Sequence, residues 1–418
     1  MAQLSNDCFA LGAKSRMTAA EALDLLGARL EPAVGGETVG LRAAAGRILA
    51  EDLIADRAVP PHDNSAVDGY AVRFDDLSPV AESRLKLAGR AAAGHPVATP
   101  LPRRGAVRIF TGAPMPDGAD TVMMQEDCRE EDGAVIVPPG IERGANSRRA
   151  GEDVARGATV LRAGRRLRPQ DLGLAASIGR TALPVRRRLR VALFSTGDEV
   201  REPGAALARG CVYDANRYAL MALLDGLGCA VDDLGIVPDR YDAIHAALAA
   251  AAAGHEAIVT SGGVSAGEED HVRAAVAALG AIHFWQLAIR PGRPIALGQV
   301  GAAAFIGLPG NPAAMMVTFL RLARPALLRL AGASEITPAI FRVRSEFGYK
   351  KKSGRREWIR CRLVPGPDGF PAARKFPREG AGILTSLVES DGLVELPEEL
   401  TRLEAGTMVD FLPFSEVS

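Results

Sequence analysis

Alternation of apolar runs and helical patterns between residues 190 and 310 constrains the fold of this 418-residue chain more than any other feature. Apolar runs such as VALFS (191–195) and AIVT (257–260) are followed by polar turns, and further on by helical patterns such as 216–228. This alternation predicts a mostly parallel sheet with helices on both faces. Because ligands of such sheets bind beyond the carboxyl ends of the strands, we expect the functional residues along that edge.

One turn on that edge combines features that favour opposite charges. In EAIVTSGGVSAGEEDHVRAA (256–275), a glycine turn and a helix start offer backbone N–H groups, which favour an anion. The carboxylates of Glu268, Glu269 and Asp270 follow at once. N–H groups that can bind a phosphate, next to carboxylates that can bind a metal ion, suggest chemistry on a phosphorylated ligand. The metal ion would lie between the phosphate and the carboxylates. An ordinary turn with acidic helix caps explains the local sequence equally well.

Further acids and a second glycine turn are expected at the same edge. Asp198, Glu199 and Asp239 each come just after a predicted strand. In PGNP (309–312), the asparagine is a natural N-cap and the following proline a natural first helical residue. The sheet therefore predicts that these acids and both glycine turns converge.

Two arginines, Arg290 and Arg293, flank the stiff Pro-Gly turn of RPGRP (290–294). Two guanidinium groups on such a turn suit an oxyanion. A hairpin with solvated arginines explains this sequence equally well.

The rest of the chain predicts a helical and extended N-terminal part and two β regions. A capping box of Thr18 and Glu21 starts an early helix. Residues 85–145 contain short strands at intervals that suit a small barrel or sandwich, and residues 338–418 predict a separate small β-barrel. Pro325 predicts a kink or break in the helix after the PGNP turn.

Two loops near the first β region carry polar side chains. The loop around Asp63 is either a functional loop or a surface crossover with self-capping turns. The hydroxyl of Thr111, in the rigid turn TGAPMP (111–116), either binds a ligand or bonds its own backbone.

Composition and patterning exclude several classes of protein. The 50 basic and 50 acidic residues give no net charge, which argues against a nucleic-acid-binding protein held by a global positive field. The five cysteines are scattered without a C-x-x-C pair, so we expect neither a zinc site nor a disulfide framework. No run reaches the roughly 18–20 apolar residues that span a bilayer, and no secretory signal pattern is seen. We therefore expect a soluble, cytoplasmic protein.

Six motifs occur in an order that resembles the MoeA family, the molybdopterin molybdenumtransferases, which are related to the E domains of gephyrin and of its plant counterpart. They are DNSAVDGYAV (63–72), TGAPMP (111–116), STGDEV (195–200), TSGGVSAGEED (260–270), RPGRP (290–294) and GLPGNP (307–312). One motif alone would be weak, since TSGGVS-type loops also occur in MogA-type adenylyltransferases and CinA-like proteins. The six together are specific, and the resemblance covers nearly the whole chain.

The resemblance implies an α/β multidomain fold. Its parts are an N-terminal linker and dimerisation domain, an inserted β domain, a MogA-like molybdopterin-binding α/β domain with a mostly parallel sheet, and a C-terminal β-barrel. Their expected bounds are 1–55 with 146–188, 56–145, 189–332 and 337–418, respectively.

The family inserts molybdate into adenylylated molybdopterin and releases AMP in a magnesium-dependent step, which gives the molybdenum cofactor. The resemblance thus implies Mg²⁺ as cofactor, molybdopterin-AMP and molybdate as substrates, and an elongated homodimer. A MogA-type adenylyltransferase and molybdoenzyme maturation factors are further expected partners, whereas nucleic acids and membranes are not. The alternatives are a non-catalytic cofactor carrier or scaffold of the same fold, and a MogA-like molybdopterin adenylyltransferase.

Residue by residue, the resemblance assigns roles to four groups of residues. Glu199, Asp239 and Asp270 match acidic positions important to the activity, and the last two are the expected Mg²⁺ ligands. Asp63 and Thr111 match a region that the partner subunit brings to the cleft. The expected cofactor-binding residues are Thr196, Gly197, Asp198, Ser261, Gly262, Gly263, Val264, Ser265, Gly310, Asn311 and Pro312. The residues expected to bind molybdate or substrate phosphate are Arg290, Arg293, Pro294 and Arg356.

The chain departs from the family pattern around the expected molybdate site. Gln286 stands where the family often has a lysine, and Arg290 and Arg293 replace the lysines of KPGKP. Ala314 replaces a residue that carries a hydroxyl in many members. These departures leave the reaction class intact and bear on the choice between molybdate and tungstate.

Overall fold

The computed structural model describes residues 17–264, 270–366 and 369–417. Its central sheet has six strands, in spatial order Ala230–Val237, Arg190–Thr196, Ala257–Ser261, Ala303–Leu308, Pro294–Val300 and Gly280–Gln286. The first four strands run parallel, and the last two pair antiparallel. The predicted mostly parallel sheet is confirmed. Its antiparallel edge arises because only residues 301 and 302 link two neighbouring strands, and a parallel crossover needs a longer connection.

Helices cover both faces of this central sheet. Along the strand Arg190–Thr196, Val191 and Leu193 belong to one hydrophobic core, whereas Ala192 and Phe194 belong to another. Burial on both sides is what the strands of a parallel sheet require. The helices are Ala215–Gly226, Tyr241–Gly254, His271–Leu279, Pro312–Thr318 and Arg324–Leu330.

The last two of these helices are joined by a π-helical turn, Phe319–Ala323. Pro325 lacks the N–H that would bond to the carbonyl four residues earlier, and its ring crowds that carbonyl. A widened turn just before the proline relieves both problems. The break expected at Pro325 takes this form.

An early helix, Ala19–Arg29, packs against the central domain. The predicted capping box is present: the N–H of Glu21 donates to Oγ1 of Thr18 at 3.2 Å, and the N–H of Thr18 donates to Oε2 of Glu21 at 2.8 Å. Its buried residues Ala22 and Leu26 share the core that contains Leu193.

An extended region with its own core connects the central domain to an inserted sheet. Its antiparallel strand pairs are Gly36–Gly40 with Ala182–Arg186, Leu53–Ile54 with Thr159–Leu161, and Asn64–Ser65 with Ser147–Arg148. It also contains the helices Leu41–Ala44 and Pro169–Ser177. Because each pair joins an early to a late segment, the chain leaves this region into the inserted sheet and then returns.

The inserted sheet is mixed. Its strands, in spatial order, are Thr121–Met124, Gly69–Val72, Gly105–Ile109, Ser83–Ala91, Ala134–Val137 and Arg129–Glu131. Small cores cover its two faces, one containing Tyr70 and the other Ala71. Instead of the expected small barrel or sandwich, the strands form one sheet, and the long connection 92–104 allows a parallel pair inside it. Two 3-10 turns, Phe74–Asp76 and Gln125–Asp127, complete this part.

Five strands close the predicted C-terminal barrel. They are Phe341–Ser345, Arg356–Pro365, Pro371–Lys375, Gly392–Leu396 and Met408–Pro413. The ring closes because Arg356–Pro365 pairs with both Pro371–Lys375 and Gly392–Leu396. The short strand Ile289–Arg290 of the central domain pairs in parallel with the start of Arg356–Pro365 and so joins the two domains.

Smaller elements complete the description. They are the paired strands Val200–Arg201 and Val212–Tyr213, the paired strands Tyr349–Lys350 and Arg402–Leu403, the helix Thr385–Val388 and the 3-10 turn Phe414–Glu416. In the three ranges that the structure describes, no helix combines the length and the apolar character needed to cross a membrane.

Candidate active site

A cleft of about 690 Å³ lies beyond the carboxyl ends of the central strands, as the sheet rule predicts. We call it the strand-end cleft. The sequence-predicted residues that line it are Thr196, Gly197, Glu199, Asp239, Ser261, Gly262, Gly263, Val264, Pro294, Gly310, Asn311 and Pro312. The structure therefore brings together most of the expected site, whose members come from five separate segments of the chain.

The first glycine turn of the cleft packs too closely for any side chain. Gly262 has φ +91°, and a Cβ there would lie 2.3 Å from the carbonyl oxygen of Thr196. A Cβ on Gly263 would lie 2.4 Å from Cγ2 of Val272. Only glycine fits such positions, and it leaves the backbone of the turn open to the cleft. Ser265, also expected here, lies outside the described residues.

The second glycine turn touches the first. A Cβ built on Gly310 would lie 3.9 Å from Cα of Gly262. Asn311 occupies the N-cap of the helix Pro312–Thr318, although its side chain makes no capping hydrogen bond. The N–H of Ala313 donates instead to the carbonyl of Ala381, in a barrel loop, at 2.8 Å. The barrel therefore forms one wall of the strand-end cleft.

Acidic groups influence one another at the edge of the cleft. Burial raises the pKa of Asp239, and the charges of Asp198 and Glu199 raise it further. Burial also raises the pKa of Asp270 to about 6, against the hydrogen bond from the N–H of Arg273, and the charge of Asp239 adds to the rise. Glu199 and Asp239 line the cleft, whereas Asp198 and Asp270 are not among its lining residues and act on Asp239 or respond to it through charge.

The carboxylate of Asp270 meets one requirement of a cation site. Its Oδ1 accepts the N–H of Arg273 at 2.9 Å, whereas its Oδ2 is buried without a hydrogen-bond partner in the described structure. A bare carboxylate oxygen is the kind of ligand that Mg²⁺ prefers. Among residues 17–264, 270–366 and 369–417, no group of three or more His, Cys, Asp or Glu side chains is arranged to hold a metal. Glu268 and Glu269 lie outside those ranges.

A second, smaller pocket of about 290 Å³ lies between the RPGRP turn and the barrel. We call it the barrel pocket. Its charged lining residues are Arg290, Arg360, Lys375, Arg378, Glu357 and Glu379. Four cations against two carboxylates leave this pocket with an excess of positive charge.

The two arginines of the RPGRP turn have different surroundings. Arg290 contacts the hydroxyl of Tyr349 at 3.1 Å and the carboxylates of Glu357 and Glu379 at 3.4 and 3.5 Å. Arg293 is exposed, and its guanidinium has no hydrogen-bond or ion-pair partner in the part of the chain that the structure describes. The two guanidinium groups therefore do not act as one fork in this structure.

Arg356, also expected to bind substrate, is held by acids of the barrel. Its guanidinium contacts Glu395 at 2.6 Å and Glu398 at 2.9 Å. On the same strand, Arg360 lines the barrel pocket and donates to the carbonyl of Gly380 at 3.0 Å. Arg360, unlike Arg356, therefore has access to a ligand in the barrel pocket, and sequence alone did not separate the two.

Asp63 and Thr111 lie in the loops beside the inserted sheet and support local structure there. Oδ1 of Asp63 accepts the N–H of Ala150 at 2.7 Å. The N–H and the hydroxyl of Thr111 both donate to Oδ1 of Asp68 at 2.8 Å, which lowers the pKa of Asp68. Neither Asp63 nor Thr111 lines the strand-end cleft of its own chain.

Three family models match successive parts of the chain. "MoeA N-terminal region (domain I and II)" matches residues 17–179, "Probable molybdopterin binding domain" matches 192–329, and "MoeA C-terminal region (domain IV)" matches 342–414. A curated Haemophilus influenzae protein named molybdopterin molybdenumtransferase is 39% identical over 383 residues, 91% of this chain and 94% of that protein. This chain belongs to the MoeA family.

Further MoeA relatives support the same assignment. A molybdopterin molybdenumtransferase of Nostoc sp. is 36% identical over 384 residues, 88% of this chain and 87% of that protein. A crystal structure of the molybdopterin biosynthesis moeA protein from Pyrococcus horikoshii OT3 superposes with a TM-score of 0.81 at 27% identity, covering 95% of this chain and 99% of that one. The MoeA fold thus extends over nearly the whole chain.

Some lining residues of this MoeA cleft were not predicted. Val212 and Tyr213 come from a short strand beside the cleft, and Gly382 comes from the barrel. Asn216 lies in the first turn of the helix Ala215–Gly226. The sequence contains a signal for it, because a polar amide two residues after the N-cap Asp214 lies at the edge where the strands end.

Proposed function

We propose that this protein inserts molybdate into adenylylated molybdopterin and releases AMP, giving the molybdenum cofactor. It is an enzyme of the molybdopterin molybdenumtransferase type, as its relatives are named. The observation that carries the detailed reaction is the strand-end cleft, where two touching glycine turns lie beside Asp239 and Glu199. Backbone donors for phosphate and carboxylates for a cation are what cleavage of a phosphoanhydride requires.

Each group of the cleft has a part in this proposal. The turns at Gly262 and Gly310, with the hydroxyl of Ser261, bind the phosphate of the pterin. Asp239 and Asp270 would hold Mg²⁺, and the unpartnered Oδ2 of Asp270 supports that placement. When bound, Mg²⁺ neutralises negative charge on the phosphoanhydride. Because an oxygen of molybdate or water can attack, the protein need not supply a nucleophile.

Molybdate is a dianion, and we propose that it enters through the positively charged barrel pocket. The barrel pocket carries that charge, and its Arg290 belongs to the same turn as Pro294, which lines the strand-end cleft. Arg290 and Arg360 can therefore draw an oxyanion toward the cleft. Arg293 remains a proposed contact, while Arg356 is occupied by Glu395 and Glu398.

The proposal includes a homodimer in the cytoplasm. In it, Asp63 and Thr111 of one subunit reach the strand-end cleft of the other, as the family resemblance implies, and neither residue lines the cleft of its own chain. The free cysteines of the described chain, such as buried Cys229 and Cys361, suit a reducing compartment. A MogA-type adenylyltransferase that supplies the adenylylated pterin, and maturation factors that receive the product, are the proposed further partners.

One assay tests the reaction. The purified protein is incubated with molybdopterin-AMP, Mg²⁺ and molybdate, and both AMP release and metal retained on the pterin are measured. We expect AMP release that depends on molybdate. A scaffold would release no AMP, and an adenylyltransferase would form molybdopterin-AMP from ATP instead, so either result would overturn the proposal.

A further inference from the structure

Asn216 ties the two glycine turns of the strand-end cleft together. Its side-chain nitrogen Nδ2 donates to Oγ of Ser261 at 2.8 Å and to the carbonyl of Gly310 at 2.8 Å. Asn216 is 8% exposed and Ser261 is 4% exposed, so both hydrogen bonds are shielded from water. One side chain therefore sets the spacing between two turns that belong to different strands.

The direction of these hydrogen bonds fixes the polarity of the cleft. A carbonyl oxygen such as that of Gly310 only accepts, so the amide of Asn216 must present its nitrogen there. That nitrogen also occupies Oγ of Ser261 as an acceptor. The hydroxyl hydrogen of Ser261 then has no acceptor among the described residues and is available to a ligand. Asn216 thus satisfies two acceptors, Oγ of Ser261 and the carbonyl of Gly310, and leaves the hydroxyl of Ser261 as a donor for a ligand in the cleft.

The other end of the same amide has no partner. Oδ1 of Asn216 is buried without a hydrogen bond in the described structure. An unsatisfied buried acceptor destabilises a fold, so its presence calls for a reason other than stability. Holding Nδ2 toward Ser261 and Gly310 provides such a reason.

We infer that Asn216 is a positioning residue that keeps Ser261 and the Gly310 turn as hydrogen-bond donors toward the pterin phosphate. This inference rests on the proposed function, which places that phosphate between the two turns. Asn216 itself need not touch the phosphate. Its effect passes through the hydroxyl of Ser261, and this dependence is measurable.

A double-mutant cycle on molybdopterin binding tests the inference. The full-length wild type, N216A, S261A and the double variant are titrated with molybdopterin, and Kd is measured for each. We expect N216A to weaken binding roughly tenfold in the wild-type background and less than about threefold when Ser261 is already alanine. Independent effects that multiply in the double variant would overturn the inference.

Thr260→Val serves as the matched control for the cycle. Thr260 precedes Ser261 on the same strand, and its hydroxyl is also buried without a partner, yet it does not line the cleft. The effects of T260V and N216A should therefore multiply. Non-multiplying effects as large as those of the S261A pair would point to general loosening of the strand and overturn the inference.

Asn216→Asp separates polarity from packing, because it keeps the size of the side chain. Its carboxylate would accept the O–H of Ser261 and turn that hydrogen away from the ligand. N216D should bind molybdopterin at least as weakly as S261A, and adding S261A to N216D should change Kd little. Wild-type-like affinity of folded N216D would overturn the inference. AMP release by the wild type is measured on the same preparation. If the wild type releases no AMP but the effect of N216A still depends on Ser261, only the proposed reaction is rejected.

Discussion

The strand-end cleft and the barrel pocket flank the same turn, yet they are built by opposite means. The cleft uses backbone turns at Gly262 and Gly310 with carboxylates beside them. The barrel pocket uses long cationic side chains such as Arg290 and Arg360. Fixed backbone donors suit a ligand that must be held in one orientation, whereas cationic side chains attract an oxyanion without fixing its orientation. The difference predicts separate consequences for mutations in the two places.

The largest effect is expected from Asp270→Asn, at the helix start beside the strand-end cleft. Loss of the charge should lower AMP release by a factor of about 100 or more, because the phosphoanhydride loses its proposed cation site, while molybdopterin binding largely survives. AMP release and Kd for molybdopterin measure the two effects. Asp232→Asn is the control, since Asp232 is exposed and contacts His255 at 3.4 Å. Full activity of D270N would contradict the proposal that Asp270 holds the cation needed for AMP release.

The second prediction asks whether the cleft, unlike the barrel pocket, needs a second chain. D63N and D270N homodimers should both be nearly inactive. In a mixed dimer, one cleft combines an intact Asp270 with an intact Asp63 from its partner. A randomly exchanged mixture should therefore regain about a quarter of wild-type AMP release, since half the dimers are mixed and each has one intact site. A mixture as inactive as its components would mean that Asp63 acts within its own chain.

The third prediction compares the two arginines of the RPGRP turn. Arg290→Gln should raise KM for molybdate about tenfold, since a hydrogen bond to a charged group contributes roughly 1.5–3 kcal/mol. Arg293→Gln should change it less than about threefold, because Arg293 is exposed and lies outside the lining of the barrel pocket. Steady-state AMP release at varied molybdate measures both. Equal effects of the two variants would mean that Arg290 and Arg293 bind molybdate together.

The smallest effect concerns stability. The folded state raises the pKa of Asp270 from 3.8 to about 6, so it binds this proton more tightly than the unfolded chain does. Ionisation of Asp270 therefore lowers stability as pH rises between those values. D270N lacks this ionisation, so its Tm relative to wild type should be higher at about pH 7.5 than at about pH 4. Thermal unfolding at both pH values measures the difference, and a pH-independent difference would contradict the raised pKa.

The same contrast explains how far sequence reasoning reached. Thr196 ends a strand, and Asp239 and Gly310 each come two residues after one, so local pattern and the sheet rule were enough to place them at one edge. The barrel pocket joins Arg290 to Lys375 and Arg378, which only the docking of two domains brings together. Arg356, also expected to bind substrate, lines neither pocket. Its partners Glu395 and Glu398 come from a distant part of the chain, and no local signal distinguishes it from Arg360.

The fold was predictable to a similar extent. The alternation from residue 190 and the capping box at Thr18 gave correct elements, because each depends on neighbours in sequence. The inserted sheet was harder, since the parallel pairing of Ser83–Ala91 with Gly105–Ile109 depends on contacts across a long connection. The early helix Ala19–Arg29 joins the core of the central domain through packing that no local pattern encodes.

Because its strands close into a ring, the C-terminal barrel resembles a domain that folds independently of the rest of the chain. The hydrogen bond from Ala313 to the carbonyl of Ala381 argues against such independence. It takes up one of the free N–H groups with which every helix begins, and it does so at the helix that borders the cleft. The barrel residues Trp358, Leu393 and Leu412 belong to the hydrophobic core of the central domain, so cutting the chain before the barrel would also expose that core. The boundary between the central domain and the barrel is therefore part of the strand-end cleft, and neither domain alone forms the complete cleft.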